Sequence, residues 1–250
     1  VDSGRVTGGA AWGLQRAFGP GLVVEPYAEA RTDYYRIKNY NGMAEQNFAR
    51  TLGLAGVEMR YPFLRAGRNT NIVIEPVVAA TYASRTANDA RIPNEDSQAF
   101  ELDDSNILRP NVTPNYDLWE PGGRVSVGMR ATAITGFGSA SAVLGKRWKS
   151  DDDPAFAPVT NIASKSSDYV GQVAADLGRH FGGDIRFRID DETLGLQRLD
   201  AGLRASLWKV AVSSRYFTVR PALRGGEPRQ ELTSGVNVDL TSNWRVTYGL

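Results

Sequence analysis

The stretch Gly123-Arg-Val-Ser-Val-Gly-Met-Arg-Ala-Thr-Ala133 alternates between two kinds of side chain. Every second residue from Val125 to Ala133 is apolar, whereas the residues between them are polar, cationic or glycine. Successive side chains of a β-strand point to opposite faces, so this strand has one apolar and one polar face. The pattern is typical of a soluble sheet packed on a core, and also of a membrane barrel with lipid outside and water inside.

A second strand-like run, Asn71-Ile-Val-Ile-Glu-Pro-Val-Val-Ala-Ala-Thr-Tyr82, precedes this stretch. Proline has no N–H to donate to a strand ladder, so we expect a bulge or an unpaired position at Pro76. Between the two runs, residues 84–121 contain four prolines and a concentration of acids. They predict a long surface loop, and connections of this length are usually functional or disordered.

The same alternation recurs along most of the chain, from the first residues to the last. Leu22–Arg36 is the longest regular run. About 14 residues in a strand span roughly 45 Å, well beyond the usual five or six residues. The run from 48 to 63 is noisier, because Leu52 and Leu54 fall in phase with Arg50, and Gly182-Gly183 predicts a tight turn. Adjacent strands with short links predict an up-and-down antiparallel topology.

Several apolar faces begin or end in an aromatic residue, which is typical of the interfacial girdles of membrane barrels. Ordinary strands also favour aromatic residues, so the girdle is one of two interpretations. Strand length favours a transmembrane β-barrel over a sandwich. The aromatic residues in question are Trp12, Tyr34, Tyr82, Trp148, Tyr169 and Tyr248.

Composition excludes several classes of protein. The chain has 250 residues, with 29 Lys and Arg against 28 Asp and Glu, so net charge gives no argument for nucleic acid. Cysteine is absent, which excludes disulfides and thiolate metal sites in this segment. No stretch reaches the roughly 18 apolar residues of a membrane helix. The mean hydropathy of −0.33 is compatible with a barrel, whose strands are apolar only at alternate positions.

Catalysis and metal binding have little support in the residues. The acids from Glu95 to Asp104 do not follow the spacing of a calcium loop, and Asp151-Asp-Asp153 is a solvated run. His180 is the only histidine, and we expect it in a turn at a strand end. We predict no catalytic residue, no metal and no cofactor.

The charged residues on the polar faces are the candidate binding residues. They would line the lumen of a barrel, where arginine can bind phosphate groups in a bidentate manner, or form a hydrated wall against a plug protein. We also expect the acidic loop to cap the lumen by hydrogen bonds to Arg124, Arg130 and similar groups. The candidates are Glu25, Glu29, Arg31, Arg124, Arg130, Arg186, Arg188 and Arg204.

The amino-acid sequence of the long loop resembles the barrel domain of the LptD family, the lipopolysaccharide-assembly proteins of Gram-negative outer membranes. Glu75-Pro76 before the loop and Gly123-Arg124 after it share this resemblance. The resemblance departs at Arg109-Pro-Asn-Val-Thr-Pro-Asn115, where Ser-Gly is more usual before Tyr-Asp. The residues that carry it in the loop are Ile92, Pro93, Asn94, Glu95, Asp96, Ser97, Phe100, Asp103, Asp104, Tyr116 and Asp117.

The resemblance implies that residues 1–250 are an incomplete part of a barrel of about 26 strands. It implies lipopolysaccharide (LPS) as substrate, translocation and insertion into the outer leaflet as function, and the outer membrane of a Gram-negative bacterium as location. It also implies a periplasmic Lpt bridge, contacted through a domain outside this chain, and an LptE-type lipoprotein plug. We expect the lateral gate to lie outside this fragment.

Two alternatives remain open from the sequence. Another large outer-membrane barrel, such as a porin or a TonB-dependent receptor, would fit a charged inner face equally well. A soluble all-β carbohydrate-binding or enzyme domain would predict strands of ordinary length, with their apolar faces buried in a core.

Overall fold

The computed structural model describes residues 2–42, 44–85, 88–95, 100–114, 116–220 and 228–250. Within these residues the chain forms one antiparallel sheet of 14 strands. The strands are β1 (Asp2–Gly13), β2 (Arg16–Phe18), β3 (Leu22–Lys38), β4 (Gln46–Arg60), β5 (Phe63–Ala66), β6 (Thr70–Ala83), β7 (Gly122–Thr135), β8 (Gly138–Lys149), β9 (Tyr169–Leu177), β10 (Phe181–Ile189), β11 (Leu196–Leu207), β12 (Val210–Val219), β13 (Arg229–Asp239) and β14 (Arg245–Gly249). No helix among these residues is long and apolar enough to cross a membrane.

The strands pair in chain order. Short β2 and β5 pair only with β3 and β6, and the other strands run from β1 to β14 as successive neighbours. The described sheet is open, since β1 and β14 are its two edges. This confirms the predicted all-β, antiparallel, up-and-down architecture, which is that of part of a β-barrel.

Connections at the two ends of the sheet differ in length. We call one end the loop end, where residues 39–45, 84–121, 150–168, 190–195 and 220–228 join the strands. We call the other the turn end, where residues 67–69, 136–137, 178–180, 208–209 and 240–244 do so. This alternation of long and short connections is usual in bacterial outer-membrane barrels.

Burial on β7 separates the two interpretations of its alternating pattern. Arg124 and Ser126 on the polar face are 4% and 3% exposed, whereas Val125 and Val127 on the apolar face are 41% and 40% exposed. A soluble sheet would bury its valines and hydrate its arginine. The observed inversion is that of a barrel wall, whose apolar face meets lipid.

Two irregularities have local causes. The carbonyl of Pro76 accepts a hydrogen bond from the N–H of Tyr61 at 3.2 Å, so the missing N–H of Pro76 also points toward this neighbour. Pairing with β6 is interrupted there, between the end of β4 and the start of β5, which confirms the expected gap in the ladder. Leu52 and Leu54 share a face with Arg50 because they pack under the β6–β7 connection, with Trp119.

The turn predicted at Gly182-Gly183 was wrong. Both glycines lie within β10, and the turn occupies residues 178–180, where Gly178 has a φ of 61°. A Cβ added to Gly183 would come 2.9 Å from the carbonyl oxygen of Gly202 and 2.9 Å from a methyl group of Leu203. Glycine is therefore needed here for close strand packing, which is the other common use of glycine in strands.

Candidate functional site

The β6–β7 connection folds back onto the polar face of the sheet. We call residues 100–114 and 116–121 the docked loop. Leu102, Ile107 and Trp119 in it are each at most 1% exposed. The bounds of the connection agree with the predicted 84–121, but the docked loop lies packed against the sheet instead of free at the surface.

Apolar contacts hold the middle of the docked loop. Leu102, Ile107 and Leu108 form one buried cluster with Val77 of β6 and Val170 of β9. Fully burying side chains of this size contributes about 1.5–3 kcal/mol each. The valines face this way because their strands carry them in phase with the polar residues.

A pair of glycines lets the loop approach the sheet closely. Gly128 and Gly145 are register partners on β7 and β8. A Cβ at Gly145 would lie 2.8 Å from Cγ1 of Ile107, and one at Gly128 would lie 3.2 Å from Cδ2 of Leu108. Larger residues at these positions would push the loop away from the sheet.

Arg147 of β8 is the central anchor of the loop. Its side chain donates to Oε2 of Glu120 at 2.9 Å, to the carbonyl of Ile107 at 2.8 Å and to the carbonyl of Arg109 at 2.7 Å. Its Nε also donates to Oγ of Ser126 at 2.8 Å. Arg147 and Glu120 are at most 1% exposed, and removing one partner of such a buried pair typically costs about 3–5 kcal/mol.

Arg124 of β7 adds to this anchor. Its guanidinium donates to the carbonyl of Pro110 at 2.7 Å and to the carbonyl of Glu120 at 2.9 Å. The expected hydrogen bonds between loop and strand are therefore present at Arg124. The same expectation was wrong for Arg130, which pairs with Glu75 on the neighbouring strand at 3.2 Å because it lies nearer the turn end, beyond the loop.

A second anchor forms on β4. Arg50 donates to the carbonyl of Asp117 at 2.7 Å, to Oδ2 of Asp33 at 2.9 Å, and to the carbonyl of Tyr116. Arg5 of β1 reaches Oδ1 of Asp117 at 2.5 Å. Strands at this side of the sheet thus bind the loop by its backbone and by one carboxylate.

A third anchor forms on β10. Arg188 donates to Oε1 of Glu101 at 3.0 Å, to Oδ2 of Asp168 at 2.5 Å and to the carbonyl of Val159 at 2.9 Å. Arg198 of β11 reaches the other oxygen of Glu101 at 2.5 Å. Arg188 therefore joins the docked loop to the β8–β9 connection.

A family model described as LPS transport system D, LptD, matches residues 1–248. The chain belongs to the LptD family. No curated protein matches it. Membership confirms the resemblance found in the sequence, and it assigns the chain at family level to LPS transport and assembly in the outer membrane.

Several of the loop residues that resembled the LptD family contact the sheet or another part of the connection. Ile92 packs against Tyr35 and Ile37 of β3. Pro93 beside it is buried. The Glu95 N–H donates to Oδ2 of Asp117 at 3.0 Å.

Phe100 and the Tyr116 ring complete these contacts. Phe100 meets Phe156 edge-on at 5.9 Å, and the Tyr116 ring lies 4.6 Å from the guanidinium of Arg5. Asn94 also makes a polar or ring contact. Asp96 and Ser97 lie outside the described residues.

Asp103 and Asp104 shape the loop itself. Oδ1 of Asp103 accepts from the N–H of Ser105 at 2.9 Å, as in a turn capped by its own side chain. Burial raises the pKa of the Asp104 carboxyl above its usual value, and the charge of Asp103 raises it further, while Arg186 opposes both. Both acids border a small cavity of about 60 Å³ with Arg186 and Arg198.

The eight charged candidates share the polar face but differ in access. Arg31, Arg124 and Arg188 are buried under the loops, at 8%, 4% and 5% exposure. The other five are partly or fully accessible. Strand register places all eight in phase with one another: Glu25, Glu29, Arg31, Arg124, Arg130, Arg186, Arg188 and Arg204.

Sequence reasoning missed Arg50 and Arg147. Arg147 lies between Lys146 and Trp148, where three large residues in a row hide the alternation. A strict count from Gly145 would have placed Arg147 on the polar face. The Arg50 strand looked irregular because Leu52 and Leu54 share its face, and that irregularity was itself the sign of a covering loop.

Other predicted features have modest roles. The His180 ring lies in the 178–180 turn and donates from Nδ1 to the carbonyl of Ser206 at 2.8 Å, as expected for a chain-end turn. Among the described residues, no group of three or more His, Asp or Glu could hold a metal ion.

Proposed function

We propose that this chain forms part of the wall of an outer-membrane translocon that carries LPS to the cell surface and inserts it into the outer leaflet. The membership in the LptD family carries this proposal. The inverted burial of β7 supports it, because it gives the wall a lipid-facing apolar side and a polar side. The work is done by geometry, with a hydrated interior for sugars and a membrane face for acyl chains.

The two ends of the sheet suggest an orientation. Barrels of Gram-negative bacteria have short periplasmic turns and longer external loops. The turn end then faces the periplasm, where the Lpt bridge would deliver LPS through a domain outside these residues. The loop end, with the docked loop, faces the cell exterior.

Accessible arginines are the proposed contacts for LPS. Arg204 is 65% exposed at its side chain and, within the part of the chain that the structure describes, pairs with exposed Asp176, so its contacts exchange readily with solvent and solutes. Arg31, Arg124 and Arg188 bind the loops instead, and we propose a structural role for them. An LptE-type lipoprotein is the proposed partner in the lumen, where it would meet the remaining polar face.

Photocrosslinking in cells tests the proposal. A photoreactive residue in the full-length protein at one of the polar-face positions Glu29, Arg130, Arg204 and Arg215 should form adducts with LPS at one or more of them. The same residue at Leu203, on the apolar face, serves as the control and should yield phospholipid or no adduct. Correct barrel assembly without any LPS adduct at the polar positions would reject LPS transport along this wall.

A further inference from the structure

The docked loop divides the polar face into two unequal parts. It crosses the loop-end half of β3 to β10, where it contacts strands through Arg50, Arg147 and Arg188. On β11 the docked loop reaches the loop end, where Arg198 ion-pairs with Glu101. Among the described residues it forms no hydrogen bond or ion pair with β12 to β14, so the uncovered part is the turn-end part of β11 together with β12 to β14. A solute that moves along the polar face from turn end to loop end meets the loop on the first part only.

We call the uncovered part the open strip. Its floor is a shallow concavity of about 550 Å³. Most of the side chains on it are small or carry hydroxyl or amide groups, so the surface is smooth and can exchange hydrogen bonds with water. Its small and polar members include Gly202, Ser213, Thr233, Gly235, Asn237 and Thr247. The concavity is also lined by Asp184, Arg204, Arg215, Leu203, Tyr248 and Leu250.

Charges on the open strip are balanced and weakly held. Arg215 pairs with Asp200 at 2.5 Å and with Asp184 at 3.5 Å, and its side chain is 52% exposed. Exposed pairs of this kind contribute little to stability and open readily. A phosphorylated, hydroxyl-rich glycan would find donors here without a deep site that retains it.

The docked loop has the opposite character. Its charged partners are buried, its apolar residues fill a cluster with Val77 and Val170, and Gly145 admits Ile107 into van der Waals contact. Undocking would break the buried pair of Arg147 and Glu120 and would expose Leu102, Ile107 and Leu108 to the hydrated interior. The docked position is therefore the favourable one.

From these two observations we infer that the docked loop remains in place during transport, and that the sugar portion of LPS crosses this wall along the open strip. The inference rests on the proposed function and adds to it a route and a fixed barrier. A lipoprotein plug seated on the open strip is the competing occupant, and photocrosslinking distinguishes it from the LPS glycan.

A disulfide lock tests the fixed barrier. The pair Ile107→Cys and Gly145→Cys suits the purpose, since a Cβ at position 145 lies 2.8 and 3.1 Å from the Cγ atoms of Ile107, near the place of a bonded sulfur. No other cysteine occurs in this segment. We expect cells that depend on the oxidised, full-length protein to deliver LPS to their surface without loss.

The reduced double variant and the single variant Ile107→Cys are the controls for the lock. Loss of LPS delivery in the oxidised double variant, with recovery on adding a reductant and no loss in Ile107→Cys, would show that the loop must undock. That result would overturn the fixed barrier.

Obstruction tests the route. Gly235→Trp places a large ring on the open strip, where an added Cβ meets only Ser213 at 3.4 Å and a backbone carbonyl at 3.8 Å. Ser141→Trp places the same ring on the polar face of β8, in line with the docked loop. We expect Gly235→Trp to cause loss of LPS delivery in an assembled barrel, and Ser141→Trp to leave delivery unchanged.

Photocrosslinking distinguishes a failure of the proposed route from a failure of the proposed function. LPS adducts at Glu29 and Arg130 but none at Arg215 or Asn237 would keep the proposed function and reject the route. Adducts with a protein at Arg215 would place a plug on the strip and also reject the route. Absence of LPS adducts at all these positions would reject the proposed function itself.

Discussion

Single arginines decide how this sheet is covered. Arg147 is 1% exposed and donates hydrogen bonds to four groups, three of which belong to the docked loop. Desolvating a guanidinium is costly, so such a group is tolerated only when its donors are matched. The docked loop supplies that match with two backbone carbonyls and the carboxylate of Glu120.

We expect Arg147→Ala to destabilise the folded protein by about 3–5 kcal/mol, because buried Glu120 would lose this partner and keep the longer, 3.5 Å ion pair with Arg124. Urea unfolding of the full-length protein in detergent micelles measures this. The double variant Arg147→Met with Glu120→Leu removes the pair and should recover part of the loss, since Arg124 keeps its hydrogen bonds to the carbonyls of Pro110 and Glu120. Equal stability of the single variant and the parent would contradict the anchor.

Asp104 and Asp89 should affect the pH dependence of the free energy of unfolding in opposite directions. The folded-state pKa of Asp104 is raised above 3.8 by burial, so its contribution to stability is present below that pH and is lost as the pH rises through the folded pKa. Asp104→Asn should therefore raise stability slightly at pH 7, by roughly a few tenths of a kcal/mol for a half-exposed group.

Asp89 gives the matched comparison. A hydrogen bond from Arg91 lowers the pKa of Asp89 below 3.8, so its stabilising effect is present at neutral pH and is lost as the pH falls through the folded pKa. Asp89→Asn should lower stability at pH 7 and have no such effect in strong acid. The same sign for both variants in urea unfolding at pH 7 would contradict this account.

At the scale of elements, the docked loop depends on two glycines that face each other across β7 and β8. Gly128 and Gly145 lower the floor of the polar face by one side chain each. The sequence shows both glycines but not the loop that lies over them, since more than 20 residues separate Ile107 from Gly128.

We expect Gly145→Val to release the loop, since the new side chain overlaps Ile107, and overpacking of this kind costs about 1–3 kcal/mol. Limited proteolysis of intact cells should then cleave the 100–121 region faster than in the parent. The compensating variant Ile107→Ala in the same chain should restore protection. Protection that is unchanged by Gly145→Val would show that contact with Gly145 does not hold the loop.

For the whole molecule, the alternation of faces determines which side meets lipid. Val127→Arg places a charge on the exposed apolar face and should cost about 2–4 kcal/mol near the middle of the membrane. Ser141→Arg adds the same charge to the polar face of the next strand and should cost little. Unfolding of both variants in lipid vesicles measures the difference, and equal costs would refute the assignment of faces.

Most of the fold could be predicted from the sequence, because a strand's alternation is a local property with a period of two. The alternating pattern from Arg124 to Ala133 predicted a strand there and the character of its two faces. The same pattern on other strands placed the eight charged candidates on one face of the sheet. The prediction from alternation failed at Arg147, where several large residues follow one another. The predicted turn was wrong at Gly182 and Gly183, because these glycines allow close strand packing within β10.

The sequence by itself determined the all-β, up-and-down sheet, the long connection at 84–121 and the resemblance to the LptD family. Only the tertiary structure decided where that connection lies and which arginines form hydrogen bonds with it. Hydrogen bonds from Arg50, Arg147 and Arg188 reach loop residues 27 to 87 positions away. Contacts over such separations depend on strand register and closure of the loop, which no local pattern of residues encodes.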